Sequence, residues 1–257
     1  MYIKQRVSVI IPALNEEKAI PHVIKDLQAL RNSNKQKLID EIIVCDNGST
    51  DHTYEVAKQL GAKVVYEPLA GYGRACLKAM SALKQTDIVL FIDADHAFNA
   101  QQSLALIQAI DQGYDLAIGS RTLGNMAPGA LTGPQIFGNR LASYLIKLIW
   151  RKEVSDLGPF RAIKYSALKA LNMQNLTFGW TIEMQIKALQ KNMQVIETPV
   201  DVRCRIGVSK ISGTIKGSVG AGIGILSMIG KLWWQQKPST TEHHEKIDKQ
   251  QYGCIND

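Results

Sequence analysis

Residues 87–95 read Asp-Ile-Val-Leu-Phe-Ile-Asp-Ala-Asp. The run Ile88 to Ile92 is the most hydrophobic strand candidate in the chain, and two carboxylates separated by one small residue follow it at once. Asp93 and Asp95 at a strand's carboxyl end can share one hard divalent cation, Mg²⁺ or Mn²⁺, that bridges to the phosphate oxygens of a ligand. An isolated Asp-x-Asp is more often a pair of solvated loop aspartates. Here two like charges abut a strongly apolar strand, which is costly unless a cation or ligand neutralises them.

Outward from this stretch, strand and helix signals alternate. Val7–Ile11 is a β-branched strand stopped by Pro12, and Glu16–Leu30 carries Ile20, Val23, Ile24 and Leu27 at helical spacing. Glu41–Cys45, Lys63–Tyr66 and Asp115–Gly119 read as further strands. Helices are expected around Val56–Leu60, Gly73–Leu83 and Ser103–Ile110. Strands spaced by helices predict an α/β fold, a mostly parallel central sheet covered by helices on both faces. Ligands of such sheets sit at the carboxyl ends of the strands. The second half predicts helices at Asn139–Trp150, Ile163–Leu171 and Thr181–Gln190, a late strand at Val195–Val202, and a Gly-rich apolar segment, Ser218–Trp234. A polar tail follows from Lys237, with the composition of a disordered segment.

The turn Asp46-Asn47-Gly48-Ser49-Thr50-Asp51 follows the second strand. Asp46 can accept from a nucleobase N–H, although an Asx turn with a helix cap accounts for the segment equally well. Gly71-Tyr72-Gly73-Arg74 only half matches a dinucleotide fingerprint. Cys76 stands where the third glycine belongs, and the loop does not follow the first strand. It reads as a tight turn opening a helix.

Thirty Lys and Arg against 23 Asp and Glu give a net +7. Eleven of the basic residues lie in two acid-free stretches, Leu116–Lys152 and Val202–Thr241, so the rest of the chain, with 19 basic and 23 acidic residues, carries −4. The basicity therefore serves something local and anionic. Arg121, Arg140, Arg161 and Arg205-Ile206-Gly207-Val208-Ser209-Lys210 suit phosphate groups, and the lack of acids nearby in sequence argues against plain salt bridging. Leu141–Trp150 and Ala221–Trp234 mix Ile, Leu, Met, Tyr and Trp with flanking Lys and Arg. That pattern fits either core helices or helices lying in a lipid headgroup region. The basic stretches lack the interleaved polar pattern of nucleic-acid readers. Four scattered cysteines exclude a disulfide scaffold and fit a reducing compartment. The N-terminal residues run straight into a strand with no signal-peptide core, which predicts a cytoplasmic protein.

Together, VSVIIPALNEE, IIVCDNGSTD, IVLFIDAD and RIGVSK, with IGSR and DLGPFRAI in support, resemble glycosyltransferase family 2, and within it the polyprenyl-phosphate sugar synthases. The resemblance spans residues 6–211. It implies a GT-A domain over 1–211, a membrane-associating segment over 212–236 and a polar tail over 237–257. It also implies inverting transfer of a hexose from a nucleotide-diphosphate sugar to a polyprenyl phosphate, by a protein peripheral at the inner face of the membrane. By motif, Pro12, Leu14, Glu16, Val44 and Asp46 would hold the nucleoside. Asp93 and Asp95 would hold the metal, with Ala94 offering its backbone, and Arg121, Arg205 and Lys210 would bind phosphate. Asp95, Arg121, Arg205 and Lys210 form the implied catalytic set.

Two departures stand out. Ala97 occupies the place of a glutamine that commonly ligates the metal, with His96 beside it, and RIGVSK is one residue short of the family's RxxGxSK. A soluble hydroxyl acceptor would instead need a carboxylate base. Glu183 is the candidate, though a helix-face glutamate is the plainer reading. A non-catalytic nucleotide-sugar-binding protein that docks at membranes is the other alternative.

Overall fold

In the computed structural model, residues 5–207 and the helix Ile215–Gln236 are described. Seven strands form one sheet: β1 (Val7–Ala13), β2 (Glu41–Asp46), β3 (Lys63–Tyr66), β4 (Ile88–Phe91), β5 (Leu116–Ser120), β6 (Arg161–Lys164) and β7 (Val195–Pro199). Their order is β3-β2-β1-β4-β6-β5-β7. All pairings are parallel except those of β6, which runs antiparallel between β4 and β5.

Strand β6 departs from expectation, since Ile163 and Lys164 fall in it and the helix begins only at Tyr165. Four residues are too few to display a period of two, and burial between two apolar strands overrides the helical spacing that continues downstream. Strand β1 also runs through Pro12 to Ala13. Its pairing with β4 ends at Ile10, so the side on which proline lacks an N–H has no neighbouring strand to serve.

Helices α1 (Ile20–Ala29), α2 (Thr53–Gln59), α3 (Tyr72–Ser81), α4 (Ser103–Asp111), α5 (Gly133–Trp150), α6 (Tyr165–Leu171), α7 (Trp180–Gln190) and α8 (Ile215–Gln236) complete the chain. Helix α1 starts four residues later than its apolar spacing suggests, after a turn in which Ala19 and Ile20 both donate to Glu16 O. Helix α5 starts earlier, at a capping box formed by Thr132 and Gln135. Strand β7 is shorter than expected, and Val202 beyond it bridges Phe98 and Met126 instead.

One face of the sheet buries Val9, Ile11, Val44 and Leu90 against Ile24, Leu27, Leu106 and Ile107 from α1 and α4. The other buries Ile10, Ile43, Phe91 and Ile118 against Cys76 of α3, Leu168 of α6 and Trp180 and Met184 of α7. A third cluster joins Ala142 and Ile146 of α5, Ile182 and Ile186 of α7, and Met228, Ile229 and Leu232 of α8. Among the described residues, no helix is long and apolar enough to cross a membrane.

Candidate active site

The carboxyl ends of β1, β2 and β4 open on the same edge of the sheet, and the loops after them are laced together. Asn15 N donates to Ser49 Oγ at 2.9 Å, Glu16 N to Thr53 Oγ1 at 2.7 Å, and Thr50 N to Asn15 Oδ1 at 2.7 Å. Pro12, Leu14 and Glu16 are thereby set beside Asp46, which is 3% exposed and accepts from Ser49 N at 3.2 Å. Val44, expected among the nucleoside-binding residues, has its side chain fully buried in the core. Its backbone lies within the sheet between Ile11 of β1 and Val64 of β3, so Val44 is corrected as a nucleoside contact.

Asp93 and Asp95 follow β4 as expected. Tyr72 at the start of α3 donates its phenol to Asp93 Oδ1 at 3.0 Å. Burial and the charge of Asp95 push the Asp93 carboxyl up to about 7 from the usual carboxylate range. Asp95 is buried. Its Oδ1 accepts from Ala97 N at 3.0 Å, and its Oδ2 pairs with Arg205 Nη1 at 3.0 Å. Two hard carboxylates with insufficient compensating charge suit a divalent cation that takes its remaining ligands from phosphate and water. Among the described residues no third His, Cys, Asp or Glu joins them. His96 turns away instead: at φ +59° its Nε2 lies 2.9 Å from Asp26 Oδ2 on α1, and its ring stacks obliquely on His22.

The arginines divide. Arg121, just after β5, lies near enough to Asp93 to favour its ionised form. Asp156, absent from the sequence-based candidates, holds Arg121 through Nε at 2.8 Å, Nη2 at 2.7 Å and the backbone N at 2.7 Å. The absence of acids near Arg121 in sequence is therefore no guide, because its partner arrives from 35 residues away. Arg161 is corrected as a phosphate candidate. It is fully buried, donates to Gly158 O and Thr181 O, and burial pushes its guanidinium down to about 10. Arg140 is exposed on α5, and Lys210 lies outside the described residues.

The Gly71-Tyr72-Gly73 turn acquires a reason. A Cβ on Gly71 would sit 2.4 Å from Leu176 O, and one on Gly73 would sit 2.0 Å from Asn175 O, so the loop at 175–176 packs directly on α3's first turn. That contact places Tyr72 against Asp93. Glu183 holds the same loop from beneath. Only 2% exposed, it accepts from Gln174 N and from Asn175 N (2.7 Å) and pairs with Lys187 at 2.7 Å. Its oxygens are thus engaged in structure, neither solvated on a helix face nor free as a base. Glu183→Gln is expected to keep turnover within about threefold while costing about 1–3 kcal/mol in urea denaturation. A loss of turnover with unchanged stability would reverse that assignment.

A mostly parallel sheet with one antiparallel insertion, interlaced loops after β1 and β2 and a diaspartate after β4 fit the GT-A fold. Comparisons with known proteins agree. The profile of glycosyl transferase family 2 matches residues 8–171. An uncharacterized glycosyltransferase of Mycobacterium tuberculosis is 33% identical over 216 residues, covering 83% of this chain and 93% of the relative. The dolichyl-phosphate hexose transferase of Haloferax volcanii is 28% identical over 210 residues, covering 79% and 86%. The glucosyl-3-phosphoglycerate synthase of M. tuberculosis, solved with Mn²⁺, UDP and phosphoglyceric acid, superposes with a TM-score of 0.69 at 25% identity, covering 88% of this chain and 79% of that one. The chain belongs to glycosyl transferase family 2.

Proposed function

We propose that the protein is an inverting hexosyltransferase that takes a sugar from a nucleoside diphosphate and places it on the phosphate of a membrane polyprenyl phosphate. The observation that carries this reading is the diaspartate with Arg121 and Arg205 beside it, while three buried or half-buried carboxylates of the second half that could act as a base are engaged in structure. Asp156 serves Arg121, Glu183 serves a loop, and Glu197 accepts from Ser155 N and Asp156 N. A phosphate oxygen is already anionic at neutral pH, so its attack on the anomeric carbon needs in-line positioning and charge stabilisation, not proton removal.

Asp46, Pro12, Leu14 and Glu16 would seat the nucleoside, and the backbone of Ala94 would line it. Asp93 and Asp95 would hold Mg²⁺ or Mn²⁺, which when bound offsets charge on the departing nucleoside diphosphate. Arg121, whose charge already favours ionised Asp93, would meet the donor's phosphates, and Arg205 and Lys210 would serve the acceptor's phosphate. Asp95→Ala tests the assignment: release of nucleoside diphosphate should cease while the folded state and nucleotide binding persist. Undiminished turnover would leave only a non-catalytic nucleotide-sugar-binding role for these carboxylates.

The placement of hydrophobic surface favours a lipid acceptor. Phe137, Tyr144 and Leu148 on α5 are 68%, 62% and 64% exposed, and Ile223 and Trp234 on α8 are 62% and 72% exposed. Neither helix carries an acid, while Arg140, Lys147 and Lys231 lie among these residues. An anionic membrane surface at the cytoplasmic face matches both features. Because Met228, Ile229 and Leu232 of α8 are buried against α5 and α7, point variants test this better than truncation. Phe137→Ser combined with Leu148→Ser should weaken co-sedimentation with anionic vesicles by about tenfold or more. Equal binding by the double variant would remove this face from the account. A second reading, a soluble phosphorylated hydroxyl acceptor, draws support from the likeness to the synthase solved with phosphoglyceric acid.

A further inference from the structure

The diaspartate already has a cation on it. Arg205 Nη1 lies 3.0 Å from Asp95 Oδ2, and the Arg205 charge also favours ionised Asp93. Arg121 is the other guanidinium nearby, but both oxygens of Asp156 engage it. Arg205 is therefore the one of the two that is free to exchange partners. Its segment is pinned to the aspartates through backbone as well. Arg203 N donates to Ala97 O at 3.0 Å, Ile206 N to Asp95 O at 3.0 Å, and Arg203 Nη2 to Phe98 O at 3.2 Å. Gly207, at φ +95°, ends this pairing close to Glu16: a Cβ there would be 3.9 Å from Glu16 Oε2. The segment thus lies across the mouth of the site from Asp95 to the nucleoside loop.

We propose that Arg205 is the resident counter-ion of the diaspartate in the metal-free protein, and that a divalent cation enters by exchanging with it. The inference rests on reading Asp93 and Asp95 as the metal ligands, and it adds how they are kept before the metal arrives. Oδ1 of Asp95 is committed to the Ala97 amide, so cation and guanidinium meet on Oδ2. Two positive groups about 4 Å apart at a buried carboxylate repel strongly. Exchange frees the guanidinium at the place where phosphate then needs it, and loosens Arg203–Gly207 from Asp95. The device couples metal entry to the release of the arm that carries Arg205.

Mn²⁺ binding to the full chain without nucleotide, followed by electron paramagnetic resonance of the free ion, tests the exchange. Arg205→Met removes the competing cation and should tighten Mn²⁺ binding about tenfold, the worth of one charge-assisted hydrogen bond. Arg203→Met removes the same charge two residues away without touching Asp95, and should change it less than twofold. In the wild-type protein, Mg²⁺ alone should speed tryptic cleavage after Arg205. Wild-type affinity in Arg205→Met, or equal tightening in both variants, would overturn the exchange while leaving the metal site standing. Absence of Mn²⁺ binding in every form would overturn the metal assignment itself.

Discussion

Asp93→Asn should abolish transfer and at the same time stabilise the metal-free protein. The carboxyl is partly buried beside Asp95 and titrates near 7 when folded, against an ordinary value of 3.8. Between those values the folded form binds more protons than the unfolded one, so stability falls as pH rises through that window and stays low above it. Asparagine keeps an oxygen for the Tyr72 phenol and carries no charge. At pH 8 the variant should gain on the order of 2 kcal/mol, allowing for partial exposure, and its melting temperature should rise by about 5 °C. At pH 4 the gain should vanish. Turnover should drop by about a thousandfold, as for loss of a principal electrostatic contribution at the transition state. A pH-independent change in melting temperature would mean that the carboxylate is adequately compensated without metal.

Asp156→Ala has the largest expected effect on folding. The carboxylate is fully buried and accepts four hydrogen bonds, three from Arg121 and one from Leu157 N at 2.8 Å. Its loop is clamped in turn: Glu197 of β7 accepts from Ser155 N at 2.9 Å, and Asn139 of α5 accepts from Leu157 N at 3.0 Å. Removing Asp156 strands the Arg121 guanidinium, 16% exposed, without its partner. Breaking a buried pair of this kind costs about 3–5 kcal/mol, which corresponds to a drop of roughly 10 °C in melting temperature for a chain of this size. Calorimetry on Asp156→Ala and on Arg121→Met/Asp156→Leu separates the causes. The double replacement removes both charges and should recover much of the loss without recovering activity. If the single and double variants melt alike, the pair contributes no coupling of its own.

What could be read from sequence alone follows from what is local. Strands β1, β2, β4 and β5 are short, buried, largely apolar runs, and the diaspartate sits at the end of the most hydrophobic of them, so the sheet and the position of this acidic pair are both legible in sequence. Strand β6 was not, because four residues set antiparallel in a parallel sheet carry no periodicity of their own. Site residues held by distant partners were equally hidden. Arg121 stands in sequence as a phosphate candidate, but Asp156 reaches it only through the fold, and a short acid-free stretch says nothing of an acid 35 positions on. Arg161 shares the charge of Arg121 and Arg205 but not their exposure, and residue type alone does not distinguish them. Tyr72 has a partial signal in sequence. The flanking glycines mark a close backbone approach, and the approach turns out to be a protein loop, not a dinucleotide. The acid-free stretches coincide in part with α5 and α8, which pack on each other and carry exposed apolar residues, a juxtaposition that sequence order alone does not display.

The central claim is metal-dependent transfer of a hexose to a lipid-borne phosphate. Its most direct test is incubation of the full chain with a panel of labelled nucleoside-diphosphate hexoses, polyprenyl phosphate in vesicles and Mg²⁺ or Mn²⁺, followed by organic extraction. One donor should deliver label to the organic phase only when both the divalent ion and the polyprenyl phosphate are present, and Asp95→Ala should deliver none. Label confined to a water-soluble phosphorylated acceptor such as phosphoglycerate, with none in the lipid at any metal concentration, would contradict the account.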